Sequence, residues 1–168
     1  MSKKLNIEWA YNTLSISTIQ DSKQHLHELM ELIEDLKDLD DMSPLTFYTH
    51  SPIPDMLVET LGQDDEYTIN QNKKITGSTN MFQYTVKHWG CVSDATDVNF
   101  VQPDEFNAYY EFKTRSTPPV AWMKEISIQY PDMMFELTST NEFELFEEFE
   151  TVYINGKEVV MHYSKRQP

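Results

Sequence analysis

The chain has a single cysteine, Cys91, so it cannot close an internal disulfide. Its four glycines form no glycine-rich phosphate loop, and G-x-S-x-G and H-E-x-x-H are missing as well. Cations are scarce: 13 Lys+Arg stand against 28 Asp+Glu, for a formal net charge of −15. Such a surface repels nucleic acid and anionic membranes, because phosphate binding needs cations that displace counterions. No apolar run approaches membrane-spanning length. The opening MSKKLNIEWAYN lacks the apolar centre of a signal peptide. The expectation is a soluble, cytoplasmic protein with no cofactor and no direct contact with nucleic acid or membrane.

What the chain does have is aromatic bulk. Phe, Trp and Tyr make up 12% of 168 residues, enough to bury one sizeable core in a single domain, 1–168. NIEWAYNTLSIST reads as a strand whose apolar phase switches from Ile7, Trp9 and Tyr11 to Leu14 and Ile16, which predicts a bulge near Asn12 and Thr13. DSKQHLHELMELIEDLKDL predicts a helix, capped by Asp21 with Gln24 closing a capping box. The signal weakens over about 40–80. There SPLTFYTH suggests a short strand and QNKKITGSTN an exposed loop. FNAYYEFKT is a strand with Phe106, Ala108, Tyr110 and Phe112 on one face. A second helix follows, with Thr117 as cap, Pro118 in its first turn and Pro131 as its stop. Its core face is Trp122 or Met123, then Ile126 and Tyr130. MMFELTST is another strand, and Asn155-Gly156 marks a terminal hairpin. This order predicts an α+β fold: a mostly antiparallel sheet, two helices on one face and an added C-terminal β-hairpin.

Three separated stretches carry a resemblance. Glu8-Trp9-Ala10-Tyr11-Asn12-Thr13-Leu14-Ser15-Ile16 matches an opening strand N-W-x-x-N-T-L-x-I. His88-Trp89-Gly90-Cys91-Val92-Ser93-Asp94-Ala95 matches in part a turn N-W-G-T-K-W-D-A. Phe112 through Pro118-Pro119, then Tyr130-Pro131, matches F-x-T-A-W-S-P-P before a helix ending in Y-P. The chain thus resembles the YubB-like, ferredoxin-like domain of phages and conjugative plasmids, a family of unassigned function. The resemblance implies a ferredoxin-like fold and a mobile-element origin. It makes Trp9, Asn12, Trp89, Gly90, Asp94, Pro118, Pro119, Trp122 and Pro131 a structural motif. Ser93 and Ser116 stand where the family pattern has tryptophans.

The stretch KHWGCVSDATD places His88, Cys91 and Asp94 three residues apart, a spacing that invites a catalytic or metal reading. Cys91 falls where the family pattern has threonine, and Asp94 and Asp97 oppose any thiolate formation. The reading is a small buried residue in a turn shaped by Gly90, with Trp89 as a core anchor. His25 and His27 lie two apart on a helix and diverge. The other histidines lack paired metal-ligand spacing, so no metal site is expected.

The remaining chemistry is acidic. Glu28, Glu31, Asp35 and Asp38 follow helical spacing as a stripe. Asp64, Asp65 and Glu66 form a loop cluster. EFELFEEFE, with Glu144, Glu147 and Glu148, reads as a recognition surface or an edge strand with outward charges. Carboxylates on the helical stripe recur about every 5 Å along the axis. One DNA strand carries a charge about every 3.4 Å, so the stripe alone is too sparse to imitate a duplex. The expected function is a non-enzymatic acidic binding protein of a phage or mobile element. Its partner would be a basic or nucleic-acid-binding host protein, with homo-oligomerisation left open. The alternative is a metal-assisted enzyme acting on a nucleotide or nucleic acid, using Asp94, Asp97, Glu111 and Glu136.

Overall fold

The computed structural model describes residues 8–60, 62, 64–141 and 147–165, with Glu147 and Tyr163–Lys165 described by backbone alone. The elements run β1 (Trp9–Thr18), α1 (Lys23–Asp35), a 3-10 turn (Asp55–Leu57), α2 (Glu66–Thr76), α3 (Met81–His88), β2 (Thr96–Asp104), β3 (Asn107–Arg115), α4 (Val120–Gln129), β4 (Met133–Asn141), β5 (Glu147–Ile154) and β6 (Lys157–Lys165). All six strands form one antiparallel sheet in the order β2-β3-β1-β4-β5-β6.

β1 lies inside the sheet and keeps one phase throughout. Ala10, Asn12, Leu14 and Ile16 are buried, while Tyr11 is exposed on the other side. Its register with β3 and β4 is unbroken, so the expected bulge is absent. The phase switch was apparent because Asn12, a polar residue, occupies a core position. Its Nδ2 donates to Thr114 Oγ1 (2.9 Å) and Ala10 O (3.3 Å), which offsets part of the cost of burial, while its buried Oδ1 has no partner among the described residues.

The core joins Leu14 and Ile16 to Tyr110 and Phe112 of β3 and to Phe135 and Leu137 of β4. Leu29, Leu32, Ile33 and Leu36 of the first helical segment enter the same cluster, as do Trp122, Met123 and Ile126 of α4. Both alternatives, Trp122 and Met123, are thus inward. The cap of α1 is Ser22, which accepts the His25 N–H (3.2 Å), in place of Asp21. Thr117 does not cap α4 by its side chain. Its hydroxyl donates to Gly90 O (2.6 Å), and Pro119 stands before the first helical residue. Pro131 does follow the last turn, as expected.

The weak region departs most from expectation. QNKKITGSTN is mostly helix, since α2 runs through Thr76 and ends on Gly77 at φ 76°. SPLTFYTH forms no strand. It is an irregular segment that buries Leu45 and Phe47. Glu147–Glu150, read as an edge, lies in β5, which is internal. The edges are β2 and β6. The Asn155-Gly156 hairpin is present, with positive φ at both residues (48° and 71°).

One chain of hydrogen bonds ties the three motif stretches together. Asn12 donates to Thr114 Oγ1, Thr114 Oγ1 to Thr117 O (2.8 Å), and Thr117 Oγ1 to Gly90 O. Gly90 sits at φ 86°. A Cβ there would lie 3.1 Å from the Val120 and Ala121 nitrogens and 3.2 Å from Pro118 O, all backbone. Gly90→Ala is therefore expected to destabilise the fold by about 2–4 kcal/mol, combining left-handed strain with a clash that backbone cannot relieve. Gly77→Ala, whose nearest neighbour is the flexible Lys87 Nζ at 3.4 Å, should cost about 1–2 kcal/mol. Urea unfolding of the two variants checks the order; equal losses would contradict it.

Candidate functional site

The stripe on α1 develops into a longer acidic tract. Packing the apolar side of the helix leaves Glu31, Glu34 and Asp35 exposed. Beyond the helix, Asp38 Oδ1 accepts the N–H groups of Asp40 (3.0 Å) and Asp41 (3.2 Å) and folds that loop back. Two shallow concavities share Glu34 and Asp35. One continues to His27, Met30 and Glu31. The other passes Lys37, Asp38 and Asp40 and reaches Asp94. Glu31, Glu34, Asp35, Asp38, Asp40 and Asp94 thus border one surface. Local cations are few. Lys37 Nζ meets Glu34 Oε1 (2.6 Å), and His27 Nε2 lies 3.2 Å from Glu31. Tyr130 OH donates to Asp35 Oδ2 (2.8 Å). Burial, together with that bond and charge, pushes the phenol pKa up.

The other acids named from sequence do not join this surface. Glu28 points to a separate group in which ligand atoms of His25, Glu28 and Asp132 lie within 4.8 Å of one another. His25 Nδ1 is near Ser22 Oγ (2.8 Å) and Gln20 O (3.1 Å), and its Nε2 is 3.7 Å from Asp132. These are donor types that suit a divalent cation. Histidine spacing alone does not point to this group, because Asp132 comes from the turn between α4 and β4, more than a hundred residues from His25. Asp65 is the N-cap of α2. It accepts the N–H (3.0 Å) and the hydroxyl (2.9 Å) of Thr68, bonds that hold its pKa low. Neither concavity reaches Asp64, Asp65 or Glu66.

Glu144 lies outside the described residues, and Glu147 opens β5. Glu148 pairs with Thr140, which pairs with Tyr11. It therefore shares the sheet face of Tyr11, opposite Leu14 and Ile16, against which α1 packs. A single patch made of all the acidic segments does not exist. Neither do the four carboxylates of the enzyme reading converge. Asp97 and Glu111 line a groove over the open sheet face, where Asp97 pairs with Lys113 (3.0 Å). Glu136 shares that face through its pairing with Ser15. Asp94 borders the α1 tract instead.

Cys91 is fully buried. Burial pushes its thiol pKa up, the charge of Asp94 adds to this, and the S–H points at Ser93 O (3.2 Å). It is a packing residue, not a nucleophile. Trp89 is 2% exposed; its indole N–H donates to Ser51 O (2.9 Å), and its ring meets Phe47 edge-on at 5.7 Å. Ser93 and Ser116 come within one residue of each other. Arg115 N–H donates to Ser93 Oγ (2.9 Å), and Ser116, at φ 72°, follows directly.

Asp94, placed in the structural motif by resemblance, has partners that the sequence did not reveal. It accepts the Thr46 hydroxyl (2.5 Å) and the N–H groups of Phe47 and Ala95 (2.8 Å each). It thereby fastens the irregular 43–54 segment to the turn after Trp89.

No family model and no curated protein matches the chain. Among solved structures it is similar to the protein api92 from Yersinia pseudotuberculosis, of the family DUF1281. The TM-score is 0.58 at 9% identity, over 96% of this chain and 99% of that one. At that identity the likeness concerns the α+β fold alone. No helix among the described residues is long and apolar enough to cross a membrane.

The Asp94 carboxyl pKa is raised above its ordinary 3.8, first by burial and further by the charge of Asp38, against the three bonds that favour ionisation. A raised acid binds its proton more tightly folded than unfolded. Its contribution to stability is then full below the ordinary value and declines as pH rises through the folded one. Wild type should lose stability relative to Asp94→Asn as pH rises from the ordinary 3.8 through the raised folded value. Asp94→Ala strands the donors of Thr46 and Phe47 and should cost about 1–3 kcal/mol for each. Denaturant titration across pH tests both; a wild-type/Asn difference that is flat with pH would refute the first.

Proposed function

We propose that this is a non-enzymatic binding protein, encoded by a phage or other mobile element, that attaches to a basic host protein through the α1 tract. The observation that carries this reading is the continuity of Glu31, Glu34, Asp35, Asp38, Asp40 and Asp94 around two adjoining concavities. Such a surface, on a chain of net charge −15, speeds encounter with a cationic groove and occupies positions meant for phosphates. A nucleic-acid-binding or defence enzyme of the bacterial cytoplasm fits that description. The tract is concave and interrupted by Met30 and Leu39, so it suits protruding Lys and Arg side chains better than it imitates a duplex backbone.

The finer fold reading belongs with this proposal. β1, α1, β2, β3, α4 and β4 follow the β-α-β-β-α-β order of a ferredoxin-like domain, with α2 and α3 inserted and β5-β6 added. The order β2-β3-β1-β4 supports that reading, with α1 and α4 on one face. The hydrogen-bond chain through Asn12, Thr114, Thr117 and Gly90 supports kinship with the YubB-like family, since it links all three matching stretches.

Pull-down from bacterial lysate tests the function. A captured nucleic-acid-binding protein should be released, at least about tenfold, between low and high salt, because exposed charge pairs are screened. Glu31→Lys with Glu34→Lys should abolish capture, while Glu148→Lys with Glu150→Lys on the far sheet face should leave it intact. Capture indifferent to salt, or lost equally in both variants, would sink the proposal.

A further inference from the structure

At the start of α1 a histidine is held by one ring nitrogen. His25 Nδ1 lies 3.1 Å from Gln20 O and 2.8 Å from Ser22 Oγ, the helix cap, and the side chain is only 15% exposed. A carbonyl oxygen can only accept, so Nδ1 carries a proton and donates it there. The remaining ring nitrogen, Nε2, faces Asp132 Oδ2 at 3.7 Å, an atom that also only accepts when ionised. Two lone pairs thus confront each other unless a cation stands between them. Glu28 completes the group one helical turn on, steadied by Gln24 Nε2, which donates to its Oε1 (3.0 Å). Asp132 is placed independently, in the turn between α4 and β4, where its carbonyl accepts the Ile19 N–H (3.1 Å). Among the described residues no lysine or arginine pairs with either carboxylate. Neither concavity of the acidic tract includes these three side chains, so what they do is separate from it.

We propose that His25 Nε2, Glu28 and Asp132 bind one divalent cation of the zinc class. The imidazole selects for it: Mg2+ and Ca2+ take oxygen donors, whereas Zn2+ accepts nitrogen and oxygen together. The Nδ1–H bond to a backbone carbonyl is the outer contact by which metal-bound histidines are held in one tautomer and orientation. Two carboxylates supply the charge that balances the ion. The ligand atoms lie within 4.8 Å of one another. Donors seated about 2.0–2.2 Å from zinc stand roughly 3–4 Å apart, slightly closer than that limit. Small rotations of Glu28 and of the half-exposed Asp132 close the gap. Three protein donors leave a position for water, so the site is of the open kind and holds its ion less tightly than a closed four-ligand site. The competing occupant is a second ring proton, which would make the contact between His25 and Asp132 an ordinary ion pair.

Calorimetric titration of the whole chain with Zn2+, from about 1 µM to 1 mM to span micromolar affinities, tests it. Wild type should take up one ion that a large excess of Mg2+ does not displace, and zinc at about a hundred times Kd should raise Tm by several degrees. His25→Gln and Asp132→Asn should each weaken binding at least about tenfold, with melting curves close to wild type when zinc is left out. His27→Gln with Glu31→Gln, which removes the neighbouring histidine–carboxylate pair, should bind as wild type does. Nitrogen NMR of the His25 ring in the unmodified protein gives a second readout, in which zinc shifts Nε2 while Nδ1 keeps its proton. A wild type that binds no zinc, binding that survives Asp132→Asn or is lost with His27 and Glu31, displacement by Mg2+, or an Nε2 resonance that answers only to pH would each overturn the proposal.

Discussion

Asn12 is a polar side chain in a position that the strand pattern reserves for an apolar one, and its amide N–H groups start a chain of bonds that links the parts of the fold around it. Its amide is answered by Thr114, Thr114 by Thr117, and Thr117 by the carbonyl of Gly90. Each link joins a different part of the chain: the central strand, its neighbour, the approach to α4 and the turn after α3. An apolar residue at position 12 would fill the space but leave the hydroxyl of Thr114 to find other company. Because Gly90 also brings its backbone within a few ångströms of the first turn of α4, the chain fixes where that helix starts.

The second constraint is Asp94, four residues beyond Gly90. It holds a segment with no regular structure, so that Phe47 can reach the middle of the aromatic cluster, 4.7 Å from the Trp122 ring and 6.0 Å from that of Phe112. The same carboxylate closes one end of the acidic tract. Fold and candidate site thus meet in one residue, and the position of the tract depends on bonds made for packing.

Much of this fold was legible in sequence because its elements announce themselves by period or punctuation. α1 has an apolar stripe, β3 and β4 alternate, and Asn155-Gly156 dictates its turn. The missed elements lack those signals. α2 buries only Asn72 among its residues and is defined by its ends, Asp65 and Gly77; reading the caps before the stripe would have found it. β2, TDVNFVQPD, breaks up Val98, Phe100 and Val101 with the poor strand formers Asp97, Asn99, Pro103 and Asp104, and is held by its neighbour β3. The acids were misjudged for a different reason. Period 2 says that Glu148 and Glu150 share a face but not which one, and the answer lies in a register with β4 that no local pattern encodes. Asp94 was placed in the structural motif by the resemblance alone, because its partners, Thr46 and Phe47, lie almost fifty residues upstream and no local pattern points to them.

The placement of β1 bears on how the chain matures. Its two partners are distant in sequence, Trp9 facing Arg115 and Ala10 facing Asn141. Of the six strands β1 is made before the others, and about ninety residues separate Ser17 from its partner Asn107. Contacts of such long separation slow the search for the native state. The local β5-β6 hairpin, made last, is the quickest to close once released. The hairpin can thus form from neighbouring residues alone, whereas the buried face of β1 stays unsheltered until β3 and β4 have been made.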